Sequence, residues 1–267
     1  MKKLVLLFIL CTGIFTGCSG EEKVETVEQT KKLDLELELI DTLLVESASP
    51  NITIIGDAKV SSIIVEASIV MSKKDQDNYV LSLEKEDAKA VLKAAFKSSN
   101  DEVNQSMDVR VMVPPELNLH VNDQSGKLEI INIIEQVSIN DESGDIILEN
   151  INGRLEIRDG SGSVIIKNSQ DIAVIEDLTG DIDIIESAGN TRITDGSGDL
   201  NIIDFEGDLD ILDGNGDLTV TNVIGSVTVD DGSGDISISN IARDVKIVNA
   251  GSGELTTAAI KGEFIQE

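Results

Sequence analysis

A glycine returns at a fixed interval through the second half of this 267-residue chain, and this period limits the fold more than any other feature. The seven successive intervals are 18, 18, 18, 18, 18, 18 and 19 residues, and a small polar residue stands before each glycine. A constant period of this length predicts a solenoid, in which each repeat forms one coil and stacks on the next. The glycines are Gly126, Gly144, Gly162, Gly180, Gly198, Gly216, Gly234 and Gly253.

Aliphatic residues occupy fixed places in each repeat, two and four residues after the glycine, and similar residues recur nine residues later. A spacing of two with β-branched residues predicts short strands with one buried face, and the frequent glycine and aspartate exclude a helix. We therefore predict an all-β chain, a right-handed parallel β-helix (β-solenoid) with 18-residue coils and two short strands per coil. Residues 123–267 would form about eight such repeats.

Residues 33–122 lack this period. They are predicted to be an irregular, β-rich cap that covers the N-terminal end of the solenoid, because a bare strand edge and core must be shielded. Between residues 86 and 97 the apolar residues change to helical spacing, which predicts a short helix or an irregular excursion there. The residues at this spacing are Ala88, Val91, Leu92, Ala95 and Phe96.

The first 18 residues combine two lysines with an apolar stretch that is too short to span a bilayer as a stable anchor. They end in FTGC at 15–18, which resembles the bacterial lipoprotein signal. The resemblance implies that residues 1–18 are a signal peptide and that Cys18 becomes the lipidated N-terminus. The membrane would then be a partner, and the chain would be anchored in the cell envelope on the extracytoplasmic side. An ordinary secretory signal and an uncleaved anchor are the alternatives. The polar residues 19–32 are predicted to be a tether.

Composition excludes several classes of function. The formal net charge is -29, so a phosphate backbone would be repelled and nucleic acid is not a predicted partner. One His and two Cys cannot supply a Cys/His zinc cluster, and aromatic residues are 2 % of the chain, too few for a sugar-stacking platform. Ser169 and Ser187 interrupt an apolar column of the coils, and we interpret them as marks of loose packing. We predict that the chain is not an enzyme.

The residues that lead into the repeats carry a family resemblance. Residues 111–130 read VMVPPELNLHVNDQSGKLEI, and serial SGDI segments follow, as at 143–146. This order of strand, Val-Pro, strand and Ser-Gly-Asp coils resembles the bacterial putative-adhesin family of β-strand-repeat proteins, a domain of unknown function. The resemblance covers roughly residues 33–267. It implies a solenoid fold and no catalytic residue, and therefore an adhesin-like surface interaction or structural module.

Acidic residues recur in two further columns of the repeats, one three residues before the glycine and one directly after it, where Lys127 and Ser163 are exceptions. Stacked coils would place each series as a ladder of like charges along one edge of the solenoid. The candidate site residues are Asp141, Asp145, Asp177, Asp181, Asp195, Asp199, Asp213, Asp217, Asp231 and Asp235.

Three interpretations of the ladders remain open. Each aspartate can accept backbone N–H bonds across its own turn, with solvent and salt screening the remaining charge. Calcium can lie between coils on paired carboxylates, although the Asp follows the Gly directly and so departs from the known calcium nonapeptide. A carboxylate pair can also hydrolyse a polysaccharide, but that requires two carboxylates with unlike environments, and these are near-equivalent copies. We therefore predict a non-catalytic, lipid-anchored envelope protein, with another envelope or surface protein or a polysaccharide as partner. A calcium-binding module is the alternative and a polysaccharide-active enzyme is more remote.

Overall fold

The computed structural model describes residues 25–98 and 105–267, and these residues form 24 strands and one 3₁₀ turn at Lys73–Asp75. The strands are β1 (Thr26–Glu36), β2 (Thr42–Ala48), β3 (Asn51–Gly56), β4 (Ser62–Ser72), β5 (Tyr79–Glu86), β6 (Lys89–Phe96), β7 (Ser106–Val113), β8 (Asn118–Asp123), β9 (Leu128–Ile133), β10 (Val137–Asp141), β11 (Ile146–Ile151), β12 (Leu155–Asp159), β13 (Val164–Lys167), β14 (Ile172–Asp177), β15 (Ile182–Ala188), β16 (Thr191–Asp195), β17 (Leu200–Glu206), β18 (Leu209–Asn215), β19 (Leu218–Ile224), β20 (Val227–Ser233), β21 (Ile236–Ile241), β22 (Val245–Ala250), β23 (Leu255–Ile260) and β24 (Phe264–Gln266).

The strands form two sheets of 12, and from β8 onward the chain passes from one sheet to the other at every half coil. One sheet has the order β1-β4-β7-β3-β9-β11-β13-β15-β17-β19-β21-β23, and the other β24-β22-β20-β18-β16-β14-β12-β10-β8-β2-β6-β5. Pairing in the repeats is parallel and joins residues 18 apart, as Ile193 with Ile211 and Leu200 with Leu218. The predicted all-β solenoid of about eight 18-residue coils is confirmed, and its right-handedness stays a prediction.

The core lies between the two sheets and consists of columns of Ile, Val and Leu. The aliphatic residues two and four after each repeat glycine are buried through most of the solenoid, as in Ile146 and Leu148. Each fully buried aliphatic side chain contributes about 1.5–3 kcal/mol relative to exposure. The strand spacing of two therefore arises from one face that packs into the core between the two sheets.

The N-terminal region closes one end of both sheets. Strands β2, β3, β7 and β8 continue the parallel pairing of the solenoid, whereas β1 pairs antiparallel with β4 and β5 pairs antiparallel with β6. These antiparallel strands lie at the ends of the two sheets. The region predicted as a β-rich cap is therefore strand throughout most of its described length.

Two N-terminal predictions are wrong. The predicted helix at 86–97 is the end of a hairpin, with β5 and β6 paired from Tyr79–Phe96 to Glu86–Lys89. The helical spacing misled because the adjacent residues Val91 and Leu92 are both buried, which breaks the two-residue alternation of a strand. The predicted tether is also too long, since its residues from Thr26 onward belong to β1.

The predicted signal peptide, Cys18 and residues 19–24 lie outside the described residues. Within residues 25–98 and 105–267, there is no helix with the length and apolar character needed to cross a membrane.

Candidate functional site

The aspartates three residues before each repeat glycine form a buried column, which we call the inner column. Its seven members are between 0 and 4 % exposed. Each stands in register with the next one along, from one coil to the coil above it. The inner column consists of Asp123, Asp141, Asp159, Asp177, Asp195, Asp213 and Asp231.

The strand alternation places these carboxyl groups inside. Val137, Ile139 and Asp141 are successive inward positions of β10, and all three are buried. The series of inward-facing residues in each strand therefore continues past the aliphatic residues and includes the aspartate. This alternation of inward and outward residues was visible in the sequence. It indicates that solvent does not screen the inner column, contrary to the interpretation in which solvent and salt screen the remaining charge.

Backbone N–H groups of the same turn hold part of the inner column. The Oδ1 atom of Asp141 accepts a bond from Ser143 N at 3.1 Å, and that of Asp177 accepts one from Thr179 N at 3.1 Å. Asp159 and Asp195 make the same bond at 3.3 and 3.1 Å. The predicted turn across the aspartate is therefore confirmed in these four coils.

The other carboxyl oxygens of the inner column are buried without a hydrogen-bond partner. In Asp141, Asp159, Asp177 and Asp195 this atom is Oδ2. In Asp123, Asp213 and Asp231 neither carboxyl oxygen makes a hydrogen bond of standard geometry. Turn N–H groups, and for Asp123 also the Ser47 hydroxyl, still lie close enough to lower the pKa of these three groups. A buried, unpaired polar atom costs free energy, so these orphaned oxygens require an explanation.

The pKa values of the inner column are raised, and burial is the first cause. Burial raises the pKa of all seven carboxyl groups, while the backbone N–H groups of the turns oppose the rise. A neighbouring inner carboxylate raises the pKa further in Asp141, Asp159, Asp195 and Asp213. The pKa reaches about 7 in Asp141 and Asp195, and about 6 in Asp159 and Asp213.

Full ionisation of the inner column would be too costly for the fold. Two unit charges on adjacent coils, about 4.8 Å apart, repel by about 3.5 kcal/mol at an effective dielectric constant of 20. The six adjacent pairs would together cost about 20 kcal/mol, against a typical net stability of about 5–15 kcal/mol. Part of the column must therefore be neutral or compensated in the folded protein.

Aspartates directly after five of the eight repeat glycines form a second, exposed column, which we call the outer column, and Ser163 interrupts it between Asp145 and Asp181. Each accepts a backbone N–H from the next coil: Asp145 from Ser163 at 3.1 Å, Asp181 from Asp199, Asp199 from Asp217 and Asp217 from Asp235 at 3.0 Å, and Asp235 from Glu254 at 2.8 Å. These bonds fix the carboxylates in a regular row and leave the second oxygen of each for solvent or a partner.

The repeat glycine separates the two columns. In Gly198 the backbone φ is +145°, a conformation that residues with a Cβ rarely adopt. A Cβ there would meet the backbone oxygen of Gly180 at 1.8 Å. The close stacking of the turns at this edge therefore depends on the absence of a side chain.

The structure does not bring the predicted calcium ligands together as a closed set. Within each predicted pair, such as Asp195 and Asp199, one member is buried and the other is exposed. Among residues 25–98 and 105–267, no group of three or more His, Cys, Asp or Glu side chains is placed to hold one metal ion. Calcium binding therefore stays a prediction.

Ser169 and Ser187 are buried and hydrogen-bonded to the backbone. The Ser169 Oγ donates to Lys167 O at 3.0 Å and accepts from Ile151 N at 3.2 Å, and Ser187 makes the equivalent bonds. The larger Phe205 lies in the next coil and is 1 % exposed. The hydroxyls therefore link the backbones of successive coils, and the interpretation of these serines as marks of loose packing stays a prediction.

A groove of about 730 Å³ runs outside this corner, and its lining includes Glu186, Asp204, Asn222 and Ile224. Its polar groups are bonded to one another in part, since Asn222 donates to Asp204 Oδ1 at 2.7 Å. The outer column provides the more regular surface.

Comparisons with solved structures find matches at low sequence identity that cover most of this chain. No family model matches the chain, and no curated protein matches it. A solved putative lipid binding protein from Parabacteroides distasonis is 14 % identical over 89 % of this chain and 96 % of its own, with a TM-score of 0.43. A putative adhesin from Bacteroides fragilis is 11 % identical over 94 % and 100 %, with a TM-score of 0.35. A putative cell adhesion protein from Clostridium sporogenes is 10 % identical over 90 % and 100 %, with a TM-score of 0.34. No residue role, ligand or activity is carried over from them to this chain.

Proposed function

We propose that this chain is a non-catalytic, lipid-anchored protein of the cell envelope whose solenoid is an adhesin-like interaction module. The observation that carries this proposal is the outer column. It is a row of exposed carboxylates at the spacing of the coils, and backbone N–H groups of the next coil hold each one in place. Such a row is already ordered before binding, so a partner loses little affinity to side-chain ordering.

The partner that fits this row is a polymer or surface with regularly spaced positive groups. The net charge of -29 attracts such a partner at a distance, and the row then gives it a defined register. The repetition also argues for binding rather than catalysis, because an enzyme requires carboxyl groups that their surroundings make unlike, whereas the outer carboxylates share one environment.

The test of binding uses two immobilised polysaccharides of opposite charge, chitosan at mildly acidic pH and polygalacturonate. We expect the full chain to bind chitosan and not polygalacturonate. A variant with Asp145, Asp181, Asp199, Asp217 and Asp235 all changed to Asn should keep the fold and lose most of this binding. Equal binding by the variant and the unchanged chain would show that the outer column is not the contact surface.

The anchor is tested separately. A Cys18→Ala chain, expressed in a bacterium that processes lipoproteins, should move from the membrane fraction to the soluble fraction. Unchanged partitioning would overturn the anchoring proposal and leave the binding proposal intact.

Calcium binding is the second candidate, favoured by the in-register carboxylates and by the second oxygen that each outer aspartate leaves available. A cation that binds only the folded chain raises its melting temperature. We therefore compare thermal unfolding in calcium and in chelator at one pH, and identical melting temperatures would overturn this candidate.

A further inference from the structure

The proposed function uses the outer column and leaves the inner column without a role. Seven buried carboxyl groups in one unbroken row are costly, and several of their oxygens have no partner. Stabilising the turn requires only one accepting oxygen, which an asparagine would supply equally well. The second oxygen must therefore be explained separately.

The groups at the two ends of the inner column are uncharged. Ser47 stands in register with Asp123, and Ala250 stands in register with Asp231. Beside Ala250, Asn249 accepts the N–H of Gly251 at 3.2 Å and donates its amide to Asp231 O at 2.7 Å. An uncharged side chain that both accepts and donates thus already occupies the turn at the end of this row.

No cation compensates the inner column within the described part of the chain. None of the ion pairs of residues 25–98 and 105–267 includes an inner aspartate. The charged groups that face the column along its length are themselves acidic, namely Asp145, Asp181, Asp199 and Asp230. The lining of a small groove near Asp123 includes Glu46, Lys93 and Glu142. In this groove Lys93 Nζ pairs with Glu46 Oε2 at 2.7 Å.

We propose that the inner column is a proton-binding site, in which aspartates of neighbouring coils share protons through O–H···O bonds between their otherwise unpaired carboxyl oxygens. Each proton comes from solvent and stays on one oxygen of a carboxyl group, which then donates to a carboxylate of the adjacent coil. No other bond forms or breaks. A neutral group between two charged ones also separates the remaining charges by two coils. Charge-assisted bonds of this kind are about twice as strong as those between neutral groups.

The sign of the pH effect follows from proton linkage. Burial raises the pKa of the inner carboxyl groups above the ordinary value of 3.8, so the folded chain holds more protons than the unfolded chain between these two values. Each extra proton makes the folding equilibrium constant fall about tenfold for every pH unit in that range. The contribution is fully present below the ordinary pKa and is lost as the pH rises through the raised pKa. The groups titrate as a coupled set, so the change is spread over the whole range.

Two variants of the full chain isolate this effect. Asp195→Asn keeps the oxygen that accepts the Ser197 N–H and places a permanent N–H donor where the shared proton would be. Asp199→Asn, the matched control on the outer column, removes one charge four residues away and keeps the acceptor for Asp217. Melting temperatures are measured for the three chains from about pH 4 to about pH 8, in chelator and in calcium.

We expect the melting temperature of the unchanged chain to fall as the pH rises through this range. The melting temperature of Asp195→Asn should fall less steeply, because this variant lacks up to one of the extra protons that the folded chain holds. At about pH 8 it should be more stable than the unchanged chain. Asp199→Asn should change the slope much less, because it removes no inner proton site and only relieves a repulsion on Asp213 that is smaller than that from Asp231. Asp141→Asn should repeat the result of Asp195→Asn, and it serves as the test if the first variant does not fold.

Either of two results would overturn the proposal. The first is an unchanged pH slope in the folded inner-column variants. The second is a rise in the melting temperature at about pH 8 in calcium that the inner-column variants lose, because a metal ion and not a proton would then compensate the carboxylates. Neither result bears on the outer column, so the proposed function is tested independently.

Discussion

The inner and outer columns use the same amino acid four residues apart in the same turn, yet they differ in almost every physical property. Asp195 is 2 % exposed and accepts an N–H from its own turn, whereas Asp199 is exposed and accepts one from the next coil. Burial raises the pKa of Asp195 to about 7. A repeated acidic residue therefore has no single meaning in a solenoid, since its place in the strand alternation decides whether it faces the core or solvent.

Substitution of the glycine between the columns is expected to cause the largest loss of stability. Gly198→Ala forces a Cβ into a backbone conformation that favours glycine and against the Gly180 oxygen at 1.8 Å. We expect a loss of about 3 kcal/mol or more in the free energy of unfolding, measured by chemical denaturation. The coil must open locally, and the two columns would no longer be held on opposite sides of the turn.

The matched control is Ser197→Ala in the same turn. It keeps the backbone N–H that Asp195 accepts, so its cost should stay within about 0.5 kcal/mol. A Gly198→Ala chain as stable as Ser197→Ala would contradict the role of the glycine.

Two substitutions of Asp199, with smaller expected effects on stability, distinguish the contribution of its hydrogen bond from that of its charge. Asp199→Ala removes the acceptor of the Asp217 N–H, which lies at 3.0 Å, and should cost about 0.5–1 kcal/mol. Asp199→Asn keeps the acceptor and should cost close to nothing. Denaturant unfolding of the two variants at neutral pH makes this comparison, and equal costs would show that the bond between coils does not stabilise the turn.

The sequence predicted the solenoid because its period and alternation are local and repeated. The 18-residue interval and the aliphatic residues two and four after each glycine correspond directly to paired strands such as β17 and β19. The positions of both aspartate ladders followed from the same period. Their shared edge was thus predictable from spacing alone.

The unequal burial of the ladders was missed because each aspartate was assigned to a turn and not to a strand. Asp141 continues the inward phase of Val137 and Ile139, and that phase was the available signal. The N-terminal errors have another cause, which is tertiary pairing. The pairing of β6 with β2, and of β1 with β4, joins segments distant in sequence and leaves no period to detect.

The most direct test of the partition between the columns is a carboxyl ¹³C NMR titration of the full chain with labelled aspartate. Inner-column signals should keep changing above about pH 5, with midpoints about 7 for Asp141 and Asp195 and about 6 for Asp159 and Asp213. Signals missing from Asp195→Asn and Asp141→Asn assign them to this column. If every aspartate signal has finished changing below about pH 5, the inner column carries no proton at neutral pH and the account is contradicted.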